Sequence, residues 1–219
     1  MRRLGMLAMA GLFAFAVQQP LSAQSITLGA KAGATFATVG GDEAVSDAAS
    51  NRTGLSFGAT AEFGVSPLLS IQPELLFVQK GAEFADSDFG DATFNFNYLE
   101  IPVLAKISVP SAGLASPYLY VGPSISFQSG CSISSEDQGV SAELDCDNDL
   151  VDIPTNSVDF GFLGGVGLGV GMGPGEVAVD VRYNLGLADV VDTPEGEDVT
   201  SIKNRAFGVS LGYAVSLGM

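Results

Sequence analysis

The stretch RAFGVSLGYAVSLGM, residues 205–219, alternates between large and small residues. Phe207, Val209, Leu211, Tyr213, Val215, Leu217 and Met219 fall on one face; Ala206, Gly208, Ser210, Gly212, Ala214, Ser216 and Gly218 fall on the other. Successive side chains of a strand point to opposite faces, so a period of two predicts a strand. Thirteen alternating residues, 207–219, make it a long one for a soluble sheet. EVAVDVRYNLGLA, residues 176–188, repeats the pattern, with Val177, Val179, Val181, Tyr183, Leu185 and Leu187 against Glu176, Asp180, Arg182 and Asn184.

The same alternation predicts six earlier strands at about 25–37, 53–65, 69–82, 95–109, 117–128 and 158–172. Eight such segments predict an all-β fold, an eight-stranded antiparallel up-and-down barrel. FGFLGGVGLGVGMGPGE, residues 160–176, fits this reading despite its glycines. Gly161, Gly165 and Gly169 are spaced as in packed membrane helices, yet Gly161, Gly165, Gly167, Gly169 and Gly171 are all odd while Phe160, Phe162, Val166, Leu168, Val170 and Met172 are all even. The near match to a dinucleotide fingerprint at 173–178 leads into a strand and not a helix, which removes the phosphate-binding context.

The charges decide which face meets the solvent. Lys31, Glu62, Glu74, Lys80, Glu100, Lys106, Glu176, Asp180 and Arg182 all lie on the small face. Eight strands enclose a narrow interior that side chains fill. It has no room for eight rows of Leu, Val and Phe, but it accommodates glycines around a paired polar core. The apolar face is therefore expected outside, against lipid, as in a transmembrane β-barrel. An unpaired charge in such a lumen is costly, so these acids and bases are expected to form a salt-bridged plug; a proton or ion path is the alternative.

The connections alternate in length. Residues 66–68, 110–116 and 173–175 are short and rich in Pro and Gly, whereas 38–52, 83–94, 129–157 and 189–204 are long. Nineteen of the twenty-five acidic residues fall in the four long segments. Outer-membrane barrels have short periplasmic turns and long external loops, which predicts an acidic outer rim and periplasmic termini.

The first residues set the compartment. Arg2 and Arg3 precede an apolar run, Leu4 to Val17, and small residues stand at Ser22 and Ala23. This predicts a secretory signal peptide, residues 1–23, and a barrel domain, residues 24–219. No cysteine precedes Cys131, so no thiol is at hand for a lipid anchor near that cleavage site. After cleavage seven basic residues face twenty-five acidic ones, a net charge of −18 that argues against nucleic acid. With 47% hydrophobic residues the chain is not a disordered polyelectrolyte, and no later apolar run reaches the roughly 20 residues of a spanning helix.

Four stretches carry a family resemblance: ITLGAKAGATFA (26–37), LSIQPELLFVQKG (69–81), YLEIPVLAK (98–106) and YLYVGPS (118–124). Together they resemble the PorT-like family of small outer-membrane β-barrels. The resemblance implies an eight-stranded barrel inserted by the outer-membrane assembly machinery, without specifying an activity. Such barrels often end in Phe; here the last residue is Met219, and Tyr213, Val215 and Leu217 keep the rest of the apolar terminal signal.

Three further groups carry expectations. Cys131 and Cys146, fifteen apart and the only cysteines, are expected to form a disulfide in an oxidising exterior. Asp145, Asp147, Asp149 and Asp152 offer oxygens at spacings that suit calcium, but they lack the turn glycine and distal Glu of an EF-hand, so the leading reading is a solvated acidic loop and the alternative a weak calcium site. Phe36, Phe63, Phe77, Phe127, Phe160, Phe162, Phe207 and Tyr213 are expected outside as interface girdles. With no histidine the usual general base is missing. The sequence thus predicts no enzyme, no cofactor and no resident metal. It predicts a monomeric barrel in the outer membrane of a Gram-negative-type bacterium, with outer-membrane lipid around it and an unidentified external partner. Its role is read as structural or surface-interacting, including a secretion accessory, with a small porin-like channel as the alternative and a soluble ligand-binding barrel as the third reading.

Overall fold

The computed structural model describes residues 25–41, 49–87, 90–109, 115–137, 140–148, 151–152, 157–188 and 202–217. Their strands are β1 (Ile26–Gly41), β2 (Ala49–Gly64), β3 (Leu69–Ser87), β4 (Gly90–Ser108), β5 (Ala115–Asp137), β6 (Val140–Asp145), β7 (Asp147–Asn148), β8 (Val151–Asp152), β9 (Val158–Met172), β10 (Gly175–Gly186) and β11 (Ile202–Leu217). Eight of them close a barrel in the order β4-β3-β2-β1-β11-β10-β9-β5, and β4 pairs back onto β5. Every ladder is antiparallel, for example Leu211 between Ala32 and Val179, and Ser210 between Gly33 and Asp180.

Alternation settles inside and outside. Phe207, Val209, Leu211 and Tyr213 are exposed, while Ala206 and Ser210 are buried. The exposed row continues around the barrel through Leu28, Leu55, Leu75, Leu119, Phe160, Phe162, Val166, Leu168 and Val179. An outer surface of this kind is stable against hydrocarbon, not water, and ladder closure leaves no open edge around the barrel itself. The interior is not polar throughout: Leu76, Val78, Leu104 and Leu163 face it and are almost wholly buried. Narrowness makes glycine necessary here. A Cβ on Gly122 would run into the carbonyl oxygen of Val103, and one on Gly58 into that of Leu75, so backbone sits against backbone at these points.

One end of the barrel is closed by tight turns. Val65 and Ser66 donate their amides to the Leu69 carbonyl at 2.8 and 2.9 Å, and Gly173, at φ +62°, makes the turn from β9 into β10. At the opposite end the structure corrects two expected loops. Residues 83–94 continue the β3–β4 ladder through Phe84↔Ala92 to Ser87↔Gly90. In 129–157, β5 runs on to Asp137, still paired with β4 at Asp91↔Glu136, and folds back as β6 through Ser132↔Asp145 to Asp137↔Val140. These segments are rich in Asp, Glu, Ser and Gly, and a composition of that kind reads as loop. The ladder between β5 and β9 stops at Phe127↔Val158, so β4 and β5 run on for nine more residues, about 30 Å at strand rise. The sheet β3-β4-β5-β6, with β2 still paired to β3 as far as Ala49↔Phe84, thus continues past the end of β9.

The disulfide Cys131–Cys146 is formed across this extension, with Cα atoms 5.5 Å apart and the Cys146 amide donating to the Cys131 carbonyl at 3.2 Å. It ties the end of β6 to β5 at Cys131, which stands opposite Phe96 of β4, beyond the last pair of the β5–β9 ladder. Closing a fifteen-residue loop constrains the unfolded segment by roughly 3 kcal/mol on the chain-entropy account. Cys146→Ser is therefore expected to leave detergent-resistant barrel migration unchanged while protease cuts the β5–β6 hairpin markedly faster. Loss of the folded barrel in this variant would show that the bridge serves the whole fold.

Candidate functional site within the barrel lumen

The inward side chains of β1, β3, β5, β10 and β11 build a central polar tier. Glu74 of β3 and Asp180 of β10 supply two carboxylates, Lys31 of β1 and Arg182 of β10 two cations. Lys31 Nζ lies 3.0 Å from Asp180 and 3.4 Å from Glu74; Arg182 reaches Glu74 at 2.9 Å and Asp180 at 3.3 Å. The remaining lone pairs are filled as well. Gln72 donates to Glu74 at 2.7 Å, Tyr120 to Asp180 at 2.6 Å and Ser210 to Asp180 at 2.7 Å. Two charges of each sign, each hydrogen-bonded, are what a low-dielectric interior tolerates. Tyr118, Tyr120, Leu104 and Leu163 pack as one buried cluster beside them, so polar bonding and apolar packing together block the bore.

A second tier lies toward the sheet extension. Lys80 meets Glu100 at 2.6 Å, and Asn184 and Ser126 donate to the same Glu100 oxygen at 2.8 and 3.3 Å. The Tyr98 ring lies 5.2 Å from the Lys80 ammonium. Asn204 donates to Asp159 at 3.0 Å and to the Tyr98 hydroxyl at 3.3 Å. Between this tier and the central one is a cavity of about 20 Å³, room for one water. A third tier occupies the tight-turn end: Lys106 meets Glu62 at 2.8 Å, Ser70 donates to Glu62 at 2.7 Å, and the Lys106 ammonium sits 4.4 Å from the Tyr118 ring. Glu176 lines the same mouth, a cavity of about 360 Å³, and has no ion pair within 4 Å among the described residues.

The nine charged residues singled out from strand phase thus all sit in the lumen, eight of them in ion pairs that cross between strands. The phase argument passed over Asp159, which shares the odd parity of Gly161 and is buried. It also passed over the neutral partners Gln72, Tyr98, Ser126, Asn184, Asn204 and Ser210. Their signal was available: each stands at an inward position of its strand. Of the acidic run, Asp149 lies outside the described residues, as do the side chains of Asp145, Asp147 and Asp152. Among the described residues no group of three His, Cys, Asp or Glu is placed to hold a metal.

Outside, the aromatics gather toward the strand ends. Phe36 and Phe207 pair across β1 and β11 with ring centroids 6.4 Å apart, and Phe57 and Phe77 pair across β2 and β3 at 5.2 Å. Phe36, Phe63, Phe127, Phe160, Phe162, Phe207 and Tyr213 are exposed, and Phe77 is half-buried against Phe57. An apolar outer band with aromatic ends and a charged, paired interior describes a membrane barrel. The family described as "Outer membrane protein beta-barrel domain" matches residues 19–192. The chain belongs to this family.

Membership fits the closed eight-stranded barrel, which has no helix among the described residues, and one solved structure at a TM-score of 0.50 agrees on the fold. Neisserial surface protein A is 15% identical, with 87% of this chain and 97% of that one covered at a TM-score of 0.50. Ail, the attachment invasion locus protein of Yersinia pestis, in complex with the heparin analogue sucrose octasulfate, is 14% identical over 87% of this chain and 98% of that one, at a TM-score of 0.42. No curated protein matches the sequence.

Proposed function

We propose that this protein is a surface-interaction barrel of the outer membrane, exported by an N-terminal signal at residues 1–23 and inserted as a monomer by the outer-membrane assembly machinery. The tight turns face the periplasm and the sheet extension faces outward. The observation that carries this reading is the unequal height of the wall: a bridged sheet continues well past the end of β9 while the bore beneath it is filled. Among the described residues, the extended part is the part that projects beyond the end of β9 and is free to meet another molecule. Residues 83–94 and 129–157 hold eleven acidic residues and no Lys or Arg, so its partner is expected to be cationic. The strand motifs at 69–81, 98–106 and 118–124 resemble those of PorT-like members, and adjacency to secretion genes would favour an accessory role in secretion over adhesion.

The channel reading conflicts with the central tier. In proteoliposomes, small sugars are expected to cross no faster than in empty vesicles, and on intact cells an external protease is expected to cut within 129–157 but not at 66–68 or 173–175. Clear sugar flux, or cleavage confined to the tight turns, would overturn the proposal.

A further inference from the structure

Among the charged tiers of the lumen only the central one is balanced. The tier beneath the sheet extension holds the Lys80 ammonium against two carboxylates, Glu100 and Asp159, while the nearby Arg52 donates to the Lys80 carbonyl at 3.3 Å and has Glu83 as its charge partner. Glu100 takes the ammonium at 2.6 Å. Asp159, 5% exposed, has no ion pair among the described residues, and its partners are the Asn204 amide on Oδ2 at 3.0 Å and the Ala188 backbone amide. Its other oxygen, Oδ1, meets no donor, and neither does Oδ1 of Asn204, a residue only 2% exposed. The orientation of the Asn204 amide follows from its neighbours: turned over, it would set its oxygen against the carboxylate. Two buried acceptor oxygens therefore stand unfilled, each one carbon away from the hydrogen bond that joins their side chains, beside the Tyr98 hydroxyl.

We propose that Asp159 Oδ1 and Asn204 Oδ1 are ligands of a hard cation bound at the top of the lumen. A water would satisfy their hydrogen-bonding capacity but would leave the Asp159 charge uncompensated in a low-dielectric interior. A cation fills both oxygens, and a monovalent one such as sodium makes the tier neutral. The donors decide its class: carboxylate, amide and hydroxyl oxygens, with no histidine in the chain and both cysteines in the disulfide, suit sodium or calcium and not a softer metal. The central tier closes the bore below, so the ion enters from the end that carries the sheet extension. Bound there, it would link β9 to β11, the two walls that lack the height of the extension.

Terbium, which takes calcium-like oxygen sites and emits when a nearby tyrosine is excited, is the probe. All five tyrosines lie in barrel strands, so terbium on the acidic connections stays dark, while terbium beside Tyr98 emits. The folded full-length barrel is expected to show tyrosine-sensitised emission. Affinity should fall about ten-fold or more in Asp159→Asn and in Asn204→Ala, since even outer-shell partners of a metal are worth that much. Glu176→Gln, at the other mouth, should change nothing. Competition with sodium and with calcium, at matched ionic strength against choline, then assigns the natural ion. Three results would overturn the proposal: no emission from folded protein, which means that water or a proton suffices; emission indifferent to Asp159→Asn; or emission lost in Glu176→Gln. If Asp159→Asn does not fold, Asn204→Ala and the competition series on the unaltered protein decide alone.

Discussion

Gly167→Leu is expected to leave the chain unable to close its barrel, while Leu168→Ile, one residue along, passes almost unnoticed. The two positions share a strand and differ only in the face they serve. A Cβ on Gly167 would overlap the ring of Tyr118, its neighbour across the β5–β9 ladder. That ring is held on one side, 6.0 Å from the Tyr120 ring and 4.4 Å from the Lys106 ammonium that is itself tied to Glu62, and it could yield only toward the mouth cavity, breaking those contacts. Overpacking a core typically costs about 1–3 kcal/mol and occasionally more, and this core also has ion pairs to break. Leu168 is 46% exposed on the outer face, between Pro117 and Val179. There, isoleucine keeps the apolar volume and suits a strand, so the cost stays below about 1.5 kcal/mol. Refolding yield in detergent, read as the heat-modifiable band, checks both variants. Similar yields for the two would mean that inside and outside are assigned the wrong way round.

The same contrast explains what was legible in the sequence. A barrel with lipid outside and charges inside writes a period of two with a sharp difference between faces, and RAFGVSLGYAVSLGM displays it without tertiary information. Strand phase located the nine lumen charges for the same reason, because an inward position is a matter of parity. Partners were not legible. Glu74 and Lys80 share one strand face, yet each pairs with another strand, since shear and tilt decide which inward residues reach the same level. The sheet extension was missed for a different reason. SGCSISSED is polar on both faces apart from Cys131 and Ile133, while in GVSAELDC the alternation of Val140, Ala142, Leu144 and Cys146 with Ser141, Glu143 and Asp145 was a strand signal that was passed over among the surrounding acids. Backbone pairing and the Cys131–Cys146 bridge define it. Asp159 was within reach of the same parity, since it stands between Val158 and Phe160 at an inward position of β9, but it was passed over among the glycines that follow it.

Arg182→Met is expected to be the most destabilising single charge change in the lumen. Its guanidinium spans the two carboxylates of the central tier, with Nη1 on Glu74 at 2.9 Å and Nε and Nη2 on Asp180 at 3.3 Å. Without it, Lys31 alone faces two carboxylates, and the Glu74 side chain is wholly buried. Removing one partner of a buried pair costs about 3–5 kcal/mol, mostly as the penalty on the charge left behind. Lys106→Met removes a cation too, but from a mouth where the Glu62 side chain is 25% exposed and a cavity of about 360 Å³ adjoins it, so water takes over much of the solvation and the loss is smaller. Urea unfolding of the two variants in lipid vesicles should therefore rank Arg182→Met well below Lys106→Met. Arg182→Lys should recover only part of the difference, because a single ammonium does not reproduce a planar fork held between two carboxylates. Arg182→Met combined with Glu74→Gln should recover more, since it removes the orphaned charge itself. If the double variant were instead the worst of the set, the central tier would be stabilising through net attraction and not through mutual neutralisation. Equal stability for Arg182→Met and the unaltered protein would show that the plug contributes nothing to the fold.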